Sequence, residues 1–162
     1  MEIATAKDAP QIASLLTATS ERLTDIYGKG HWSHQTTVKG VLFGMKQSSK
    51  VLVMKRGEKI VGTLRLTTKK PWAIDANYFT KVSHPLYLVD MSVQPDLQRT
   101  GIGRLMLQEA KSYVKTRHAQ AIRLDAYNAP AGAAEFYRKC GYKEVGRVVY
   151  KGTPLIYFEL ML

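Results

Sequence analysis

Apolar and polar positions change period along this chain, and each change marks an element. Glu2 to Thr5 reads as a short strand. Ile12, Leu15, Leu16, Thr19 and Leu23 recur at the spacing of one helix face, and Asp8-Ala9-Pro10-Gln11 ahead of them has the look of a capping box with proline in the first turn. Gly28-Lys29-Gly30 breaks that helix, and Thr36 to Lys46 reads as a second. Lys50 to Lys55 and Lys59 to Thr67 carry β-branched and apolar residues on both sides of Arg56-Gly57-Glu58, which predicts a hairpin. A polar and aromatic segment from Thr68 to Pro85 leads to a strand from Tyr87 to Val93. The next helix, Gly101 to about Arg117, puts Met106, Ala110, Tyr113 and Val114 on one face. A strand from Ala121 to Ala126, a helix after Pro130, and strands Tyr142 to Tyr150 and Leu155 to Leu160 around the turn Lys151-Gly152-Thr153-Pro154 complete the chain. The order β-α-α-β-β-β-α-β-α-β-β predicts a mixed α/β fold, with a central twisted mixed sheet of about six to seven strands flanked by about four helices. Neither a repeat nor a linker interrupts it, so residues 1–162 are expected to form one domain.

Composition narrows the class. With 162 residues and 45% hydrophobic content, the chain suffices for one sizeable core. No charged-then-apolar leader precedes Asp8, and no apolar run approaches the roughly 20 residues that span a bilayer, so a cytoplasmic protein with no membrane partner is expected. The single Cys140 cannot form an internal disulfide, and its place at a helix end before Gly141 suits a buried structural thiol. Lys and Arg number 24 against 13 Asp and Glu, a net charge of +11, which draws anions of any kind. The basic residues are scattered, with short pairs at Lys55-Arg56, Lys69-Lys70 and Arg138-Lys139. There is no long basic run and no aromatic ladder, a pattern of a solvated basic surface rather than a nucleic-acid face. His31 and His34 have no Cys, Asp or Glu close by, so no metal is expected.

The chemistry concentrates at Gln98-Arg99-Thr100-Gly101-Ile102-Gly103-Arg104, which follows the Tyr87 to Val93 strand and opens a helix. A helix start leaves its first N–H groups unpaired and partially positive, and glycine lets an anion approach the backbone. Arg99 and Arg104 add full charges. Met106 stands where a dinucleotide fingerprint has its third glycine, and Gly-Lys-Ser/Thr of a triphosphate loop is absent. By itself the turn also fits a helix start with no ligand.

A strand ending Val93-Gln94-Pro95, followed by Gln98 or Arg99, Gly101 and Gly103, resembles the pyrophosphate-binding motif of the GNAT N-acetyltransferase superfamily. A second stretch, Asn128-Ala129-Pro130, then Ala133-Ala134-Glu135-Phe136-Tyr137 and Gly141-Tyr142, resembles the family's second motif in the right order. Together they cover roughly the last half of the chain. The resemblance implies that acetyl-coenzyme A is the cosubstrate, its pyrophosphate held by Gln98, Arg99, Thr100, Gly101, Ile102, Gly103 and Arg104. It also implies that the strands before the two motifs run parallel and then part, with the pantetheine arm meeting the main chain of Met91 and Val93, and Asn128 bonding that arm. Tyr137 would be the general acid for the leaving thiolate and the N–H near Met91 a donor to the acetyl oxygen. The position often Glu in relatives is Val89, so Asp90 is the remaining candidate base, in balance with a structural role. Asp125 reads as structural, and Tyr87, His84 and Asp75 as weaker alternatives.

The expected activity is acetyl transfer to a primary amine of a small molecule or of a peptide or protein, by direct attack in a ternary complex. Cys140 has no neighbouring histidine to make it a nucleophile. Tyr27 to His34, with Trp32, and Lys69 to Pro85, with Trp72, Tyr78 and Phe79, are expected to border the acceptor as an aromatic-rimmed pocket. A homodimer is compatible with all of this. The alternatives are a coenzyme-binding sensor or module without turnover, and a basic nucleic-acid-associated protein.

Overall fold

The computed structural model describes residues 1–46 and 49–162. The strands are β1 (Glu2–Ile3), β2 (Ser49–Arg56), β3 (Lys59–Thr67), β4 (Pro85–Val93), β5 (Ala121–Tyr127), β6 (Lys143–Tyr150) and β7 (Thr153–Met161). The helices are α1 (Ala9–Tyr27), α2 (Val38–Gly44), α3 (Ile102–Lys115) and α4 (Ala134–Lys139). Their chain order is the expected one. They form one seven-stranded sheet in the order β1-β2-β3-β4-β5-β7-β6. All neighbours are antiparallel except β4 and β5, which are parallel.

Helices cover both faces of the sheet. On one face, Ile102, Met106, Leu107, Ala110 and Val114 of α3 pack on Leu52, Leu64, Leu88, Ile122, Leu124 and Phe158, with Tyr137 of α4 beside them. Each of the larger aliphatic side chains contributes about 1.5–3 kcal/mol by leaving water. On the other face, Ile12, Ala13 and Leu15 of α1 and Val41 of α2 cover Val51, Val53 and Ile60. The helix signals lie slightly off their expected positions. The Asp8 carboxylate accepts from the Thr5 N–H at 2.7 Å and from its hydroxyl at 3.0 Å, so the capping interaction sits on the short 3-10 turn Ala6–Asp8 ahead of α1. Thr37 caps α2 by accepting from the Gly40 N–H at 3.1 Å. The helix after Pro130 begins only at Ala134, after a turn in which the Gly132 N–H donates to the Ala129 carbonyl at 2.8 Å and the Tyr127 carbonyl leaves no room for a Cβ.

Residues 68–84 pack differently from expectation. Ile74 and Phe79 are buried with Tyr87 and Tyr157 in a third cluster. Tyr78 lies edge-on to Tyr157 at 5.4 Å, and its ring fills the space a side chain at Gly146 would need. The Thr80 hydroxyl and N–H donate to Glu159 at 2.6 and 3.2 Å, the Glu159 carboxylate pairs with Arg123 at 3.0 Å, and Arg123 also donates to the Thr80 carbonyl. The segment is therefore pinned over the end of the sheet where β4 begins.

Two features of β4 shape the centre. Its parallel pairing with β5 extends only over Pro85–Tyr87 against Ala121–Arg123, whereas β5 stays paired with β7 from Ala121 to Tyr127. Beyond Tyr87 the two parallel strands part. In the pairing of β4 with β3 the register shifts between Thr63 and Arg65, and Asp90, at φ 52°, is the bulged residue. A bulge bends its strand and strengthens the local twist, which turns the end of β4 away from β5.

Candidate functional site

The parting of β4 and β5 opens a cleft of about 560 Å³. Met91 and Ser92 of β4, Asp125 and Tyr127 of β5, and Tyr137 of α4 line its inner part. Backbone polar groups along such a gap have lost their sheet partners and must be satisfied by something else. Asp90 and Met91 have no Cα partner in β3, because the bulge lifts them out of register.

Tyr137 is held on the short α4 by its buried ring, which meets Phe136, Tyr142 and Phe158 at 5.4, 5.6 and 5.8 Å. Its hydroxyl has one partner among the described residues, the Met91 sulfur at 4.0 Å. Burial, with Asp125 and Cys140 nearby, pushes that hydroxyl above the ordinary tyrosine range, so it keeps its proton. The start of α3 lies next to this point. Gly101 adopts φ 93°, which only glycine takes without strain, and Arg99 before it also has positive φ at 63°. The α3 start leaves the N–H groups of Ile102, Gly103 and Arg104 without intrahelical acceptors. A Cβ at Gly103 would stand 3.1 Å from the Phe136 ring and 3.6 Å from the Met91 methyl, so this glycine lets α3, α4 and β4 meet closely.

Of the sequence-predicted residues, Asp90, Met91 and Tyr137 line the cleft. Val93 ends β4 and accepts from the Gln98 side chain at 3.2 Å, and Gln98, Arg99, Thr100, Gly101 and Arg104 form an exposed turn and helix start outside the cleft. Ile102 is buried in the α3 core, which leaves its main chain alone to face a ligand. Asn128 is exposed at the end of β5, outside the lining, with its N–H bound to the Pro154 carbonyl at 3.0 Å. Cys140 is half-buried and its thiol is pushed up by burial, consistent with an inert structural group. Among the described residues no cluster of His, Cys, Asp or Glu could hold a metal.

The acceptor side departs more from expectation. Trp32 and His34 line the cleft, but Trp72, Tyr78 and Phe79 do not. Tyr78 and Phe79 pack instead on Tyr157 of β7, and Tyr78 also covers Gly146 of β6, which takes both rings away from the cleft. Tyr87 and His84 lie at the closed end of β4, with Tyr87 in the third cluster and the His84 N–H on Gln120, while Asp75 sits over β7, its N–H donating to the Tyr157 hydroxyl at 3.1 Å and its carboxylate accepting from the Asn77 N–H. The Asp90 carboxylate is clasped by both Nε and an Nη of Arg65 at 2.8 Å. That pairing turns the Asp90 carboxylate toward Arg65 of the neighbouring strand.

Asp125 is the group that sequence reasoning set aside as structural. It lines the cleft, and among the described residues no cation pairs with it. Burial raises its carboxyl above the usual range, and the Asp90 charge adds to that. The available signal was Arg123 and Asp125 together: two charges in a strand covered on both faces each need a partner or a task.

An exposed glycine-bearing helix start, a pair of parting parallel strands and a buried tyrosine between them define a protein that can grip a phosphate-bearing, amide-bearing chain and work on its end. Comparison with known proteins gives that class its family. Residues 47–144 match the acetyltransferase (GNAT) domain, and the chain belongs to the GNAT acetyltransferase family. An aminoglycoside N(6')-acetyltransferase type 1 of Stenotrophomonas maltophilia is 30% identical over 69 residues, which span 43% of this chain and 45% of that protein. The PaiA N-acetyltransferase from Thermoplasma acidophilum, solved with coenzyme A, superposes with TM-score 0.75 at 14% identity over 100% of both chains. A ribosomal-protein-alanine N-acetyltransferase from Brucella melitensis gives TM-score 0.72 at 19% identity over 99% of this chain and 98% of that one. The fold is thus the GNAT fold throughout. Among the described residues no helix is long and apolar enough to cross a membrane.

Proposed function

We propose that this protein transfers an acetyl group from acetyl-coenzyme A to a primary amine by direct attack. The observation that carries the reading is the parting of β4 and β5, with Met91 on one wall and the Tyr137 hydroxyl 4.0 Å from its sulfur. The main chain of Met91 and Val93 hydrogen-bonds the pantetheine amides in place of the missing strand contacts. The N–H groups of Ile102, Gly103 and Arg104, with the Arg99 and Arg104 side chains, hold the pyrophosphate.

The amine then reaches the thioester carbonyl from the side of Asp125 and Trp32. Asp125 takes the proton the ammonium must lose, since a carboxylate in a buried site with a raised pKa is better matched to that task than the Arg65-bound Asp90. The Met91 N–H donates to the oxygen that turns negative as the amine adds; a single such donor is worth roughly 10²–10³ in rate in other enzymes. Tyr137 donates its retained proton to the departing thiolate. The base of the sequence reading moves from Asp90 to Asp125, and the other roles stay.

The test is a pair of measurements on wild type and Tyr137→Phe: calorimetric titration with acetyl-coenzyme A, and thiol release over an amine panel. Acetyl transfer should fall by about 10²–10⁴ in Tyr137→Phe, with acetyl-coenzyme A affinity retained. Tight binding with no thiol release from any amine would instead favour a sensor or module. Absence of coenzyme binding would end this reading.

A further inference from the structure

Three observations on the acceptor half of the cleft bear on what enters it. The first is a strap. The segment between α1 and α2 runs from α1 to the ends of β5 and β7, and it is fastened on both sides. On the helix side, Ser20 donates to the Trp32 carbonyl and accepts from the His34 N–H at 2.9 Å, and the Thr36 N–H donates to the Thr17 hydroxyl at 3.0 Å. On the sheet side, the Tyr127 hydroxyl donates to the His31 carbonyl at 3.1 Å, and His31 Nδ1 lies 3.0 Å from the Thr153 hydroxyl. The His31 ring also stacks on Tyr127 at 6.5 Å, while Trp32 meets that ring edge-on at 6.0 Å. A polymer leaving the cleft on this side meets the strap.

The second observation is the charge inventory. Asp90 and Asp125 are the acidic residues of the lining, and Arg65 is its Lys or Arg. Arg65 consumes Asp90, which leaves the single carboxylate of Asp125. One uncompensated carboxylate accommodates one ammonium. Further ammonium groups on the same molecule would meet no free carboxylate among the described residues of the lining, under the field of a chain with net charge +11. The third is the remaining wall. Leu16 and Leu23 of α1, Val41 and Phe43 of α2, and the rings of Trp32 and Tyr127 surround the space beyond the carboxylate.

From these we infer that the acceptor is a small monoamine with an aliphatic or aromatic body, its ammonium against Asp125 and its body between α1, α2 and the two rings. This rests on the acetyl-transfer reading and narrows it. It separates this chain from the aminoglycoside and the ribosomal-protein alanine that the names of its relatives carry.

The test begins with calorimetric titration of the purified chain with acetyl-coenzyme A, followed by thiol-release kinetics with phenethylamine, hexylamine, spermidine, kanamycin and a peptide with a free N-terminal alanine. The expected result is kcat/KM at least about tenfold higher for phenethylamine or hexylamine than for the other three, the size of step an apolar pocket provides. Trp32→Ala should raise the KM for phenethylamine by about tenfold with little change in kcat. Leu23→Ala, checked by the same split, should act in the same direction and serves if the tryptophan variant does not fold. Preference for kanamycin, spermidine or the peptide overturns the inference while leaving acetyl transfer standing. So does coenzyme binding with no release from either monoamine. Failure of acetyl-coenzyme A to bind removes the acetyl-transfer reading itself, and this inference with it.

Discussion

Arg123 and Asp125 stand on the same face of β5, one alternation apart, and the fold treats their charges in opposite ways. Arg123 is 4% exposed and fully engaged: Glu159 at 3.0 Å, the Thr80 carbonyl, and the Phe79 ring at 5.0 Å from its guanidinium carbon. Glu159 in turn receives the Thr80 hydroxyl and N–H. Asp125, the next residue on that face, has no cation beside it among the described residues and opens onto the cleft. The difference lies in what covers the two positions. Residues 68–84 close over Arg123, where β4 and β5 are still paired, while Asp125 lies where they have parted. A buried charge whose partners are all present is a fastening; one whose partner is missing is poised for a ligand.

The sharpest way to test that contrast is to neutralise Asp125. Asp125→Asn should lower kcat/KM by about 10²–10⁴ at neutral pH, or about 3–5 kcal/mol of barrier. Its stability should move the other way. The folded-state pKa of Asp125 is raised, so the folded protein binds more protons than the unfolded chain, and stability falls as pH rises from the usual carboxylate range through that raised value. Above that raised value wild type carries the full burial cost of the charge. The variant should therefore melt at an equal or higher temperature there, with the advantage vanishing in acid. In wild type the activity should rise as Asp125 loses its proton, and a pH–rate profile follows that limb.

Arg123→Met should do the reverse. It leaves Glu159 buried without its cation, a change that costs about 3–5 kcal/mol, or a drop of about 6–20 °C in a thermal melt for a chain this size. Replacing both partners, Arg123→Met with Glu159→Leu, should recover most of it, because the pair gives back in attraction little more than its desolvation cost. If the single variant melts like wild type, the distinction between fastening and poised charge fails.

Asp90→Asn should have the smallest effect. Its carboxylate is 54% exposed and held by Arg65, so losing the pair changes stability by about 0–1 kcal/mol. Under the present reading kcat/KM falls less than about fivefold, a difference of under 1 kcal/mol. A loss as large as that of Asp125→Asn would return the base to Asp90.

Much of this was legible in the residues. The glycine turn after a strand, the helix that follows it and the second motif around Tyr137 are local patterns, and the elements appeared in the expected order. Boundaries shifted by a few residues, as at α4, which begins only at Ala134 after the tight turn at Gly132. The acceptor side was less legible. Aromatic residues in residues 68–84 suit a pocket rim and a small core equally well, and only the pairing at the closed end of β4 sends Phe79 into the core.

What the sequence determined by itself is what depends on near neighbours: helix and strand periods, a turn that needs positive φ at Gly101, and unpaired donors at the start of α3. Tertiary structure decided the partners of the charges. Arg65 reaches Asp90 from the neighbouring strand, and Glu159 reaches Arg123 from the other side of β5. Whether a buried carboxylate is neutralised depends on which distant side chain arrives within a few ångströms, and strand spacing along the chain carries no record of that. Asp125 was therefore visible as a residue from the start, and became a candidate base only once the strands around it had been seen to part.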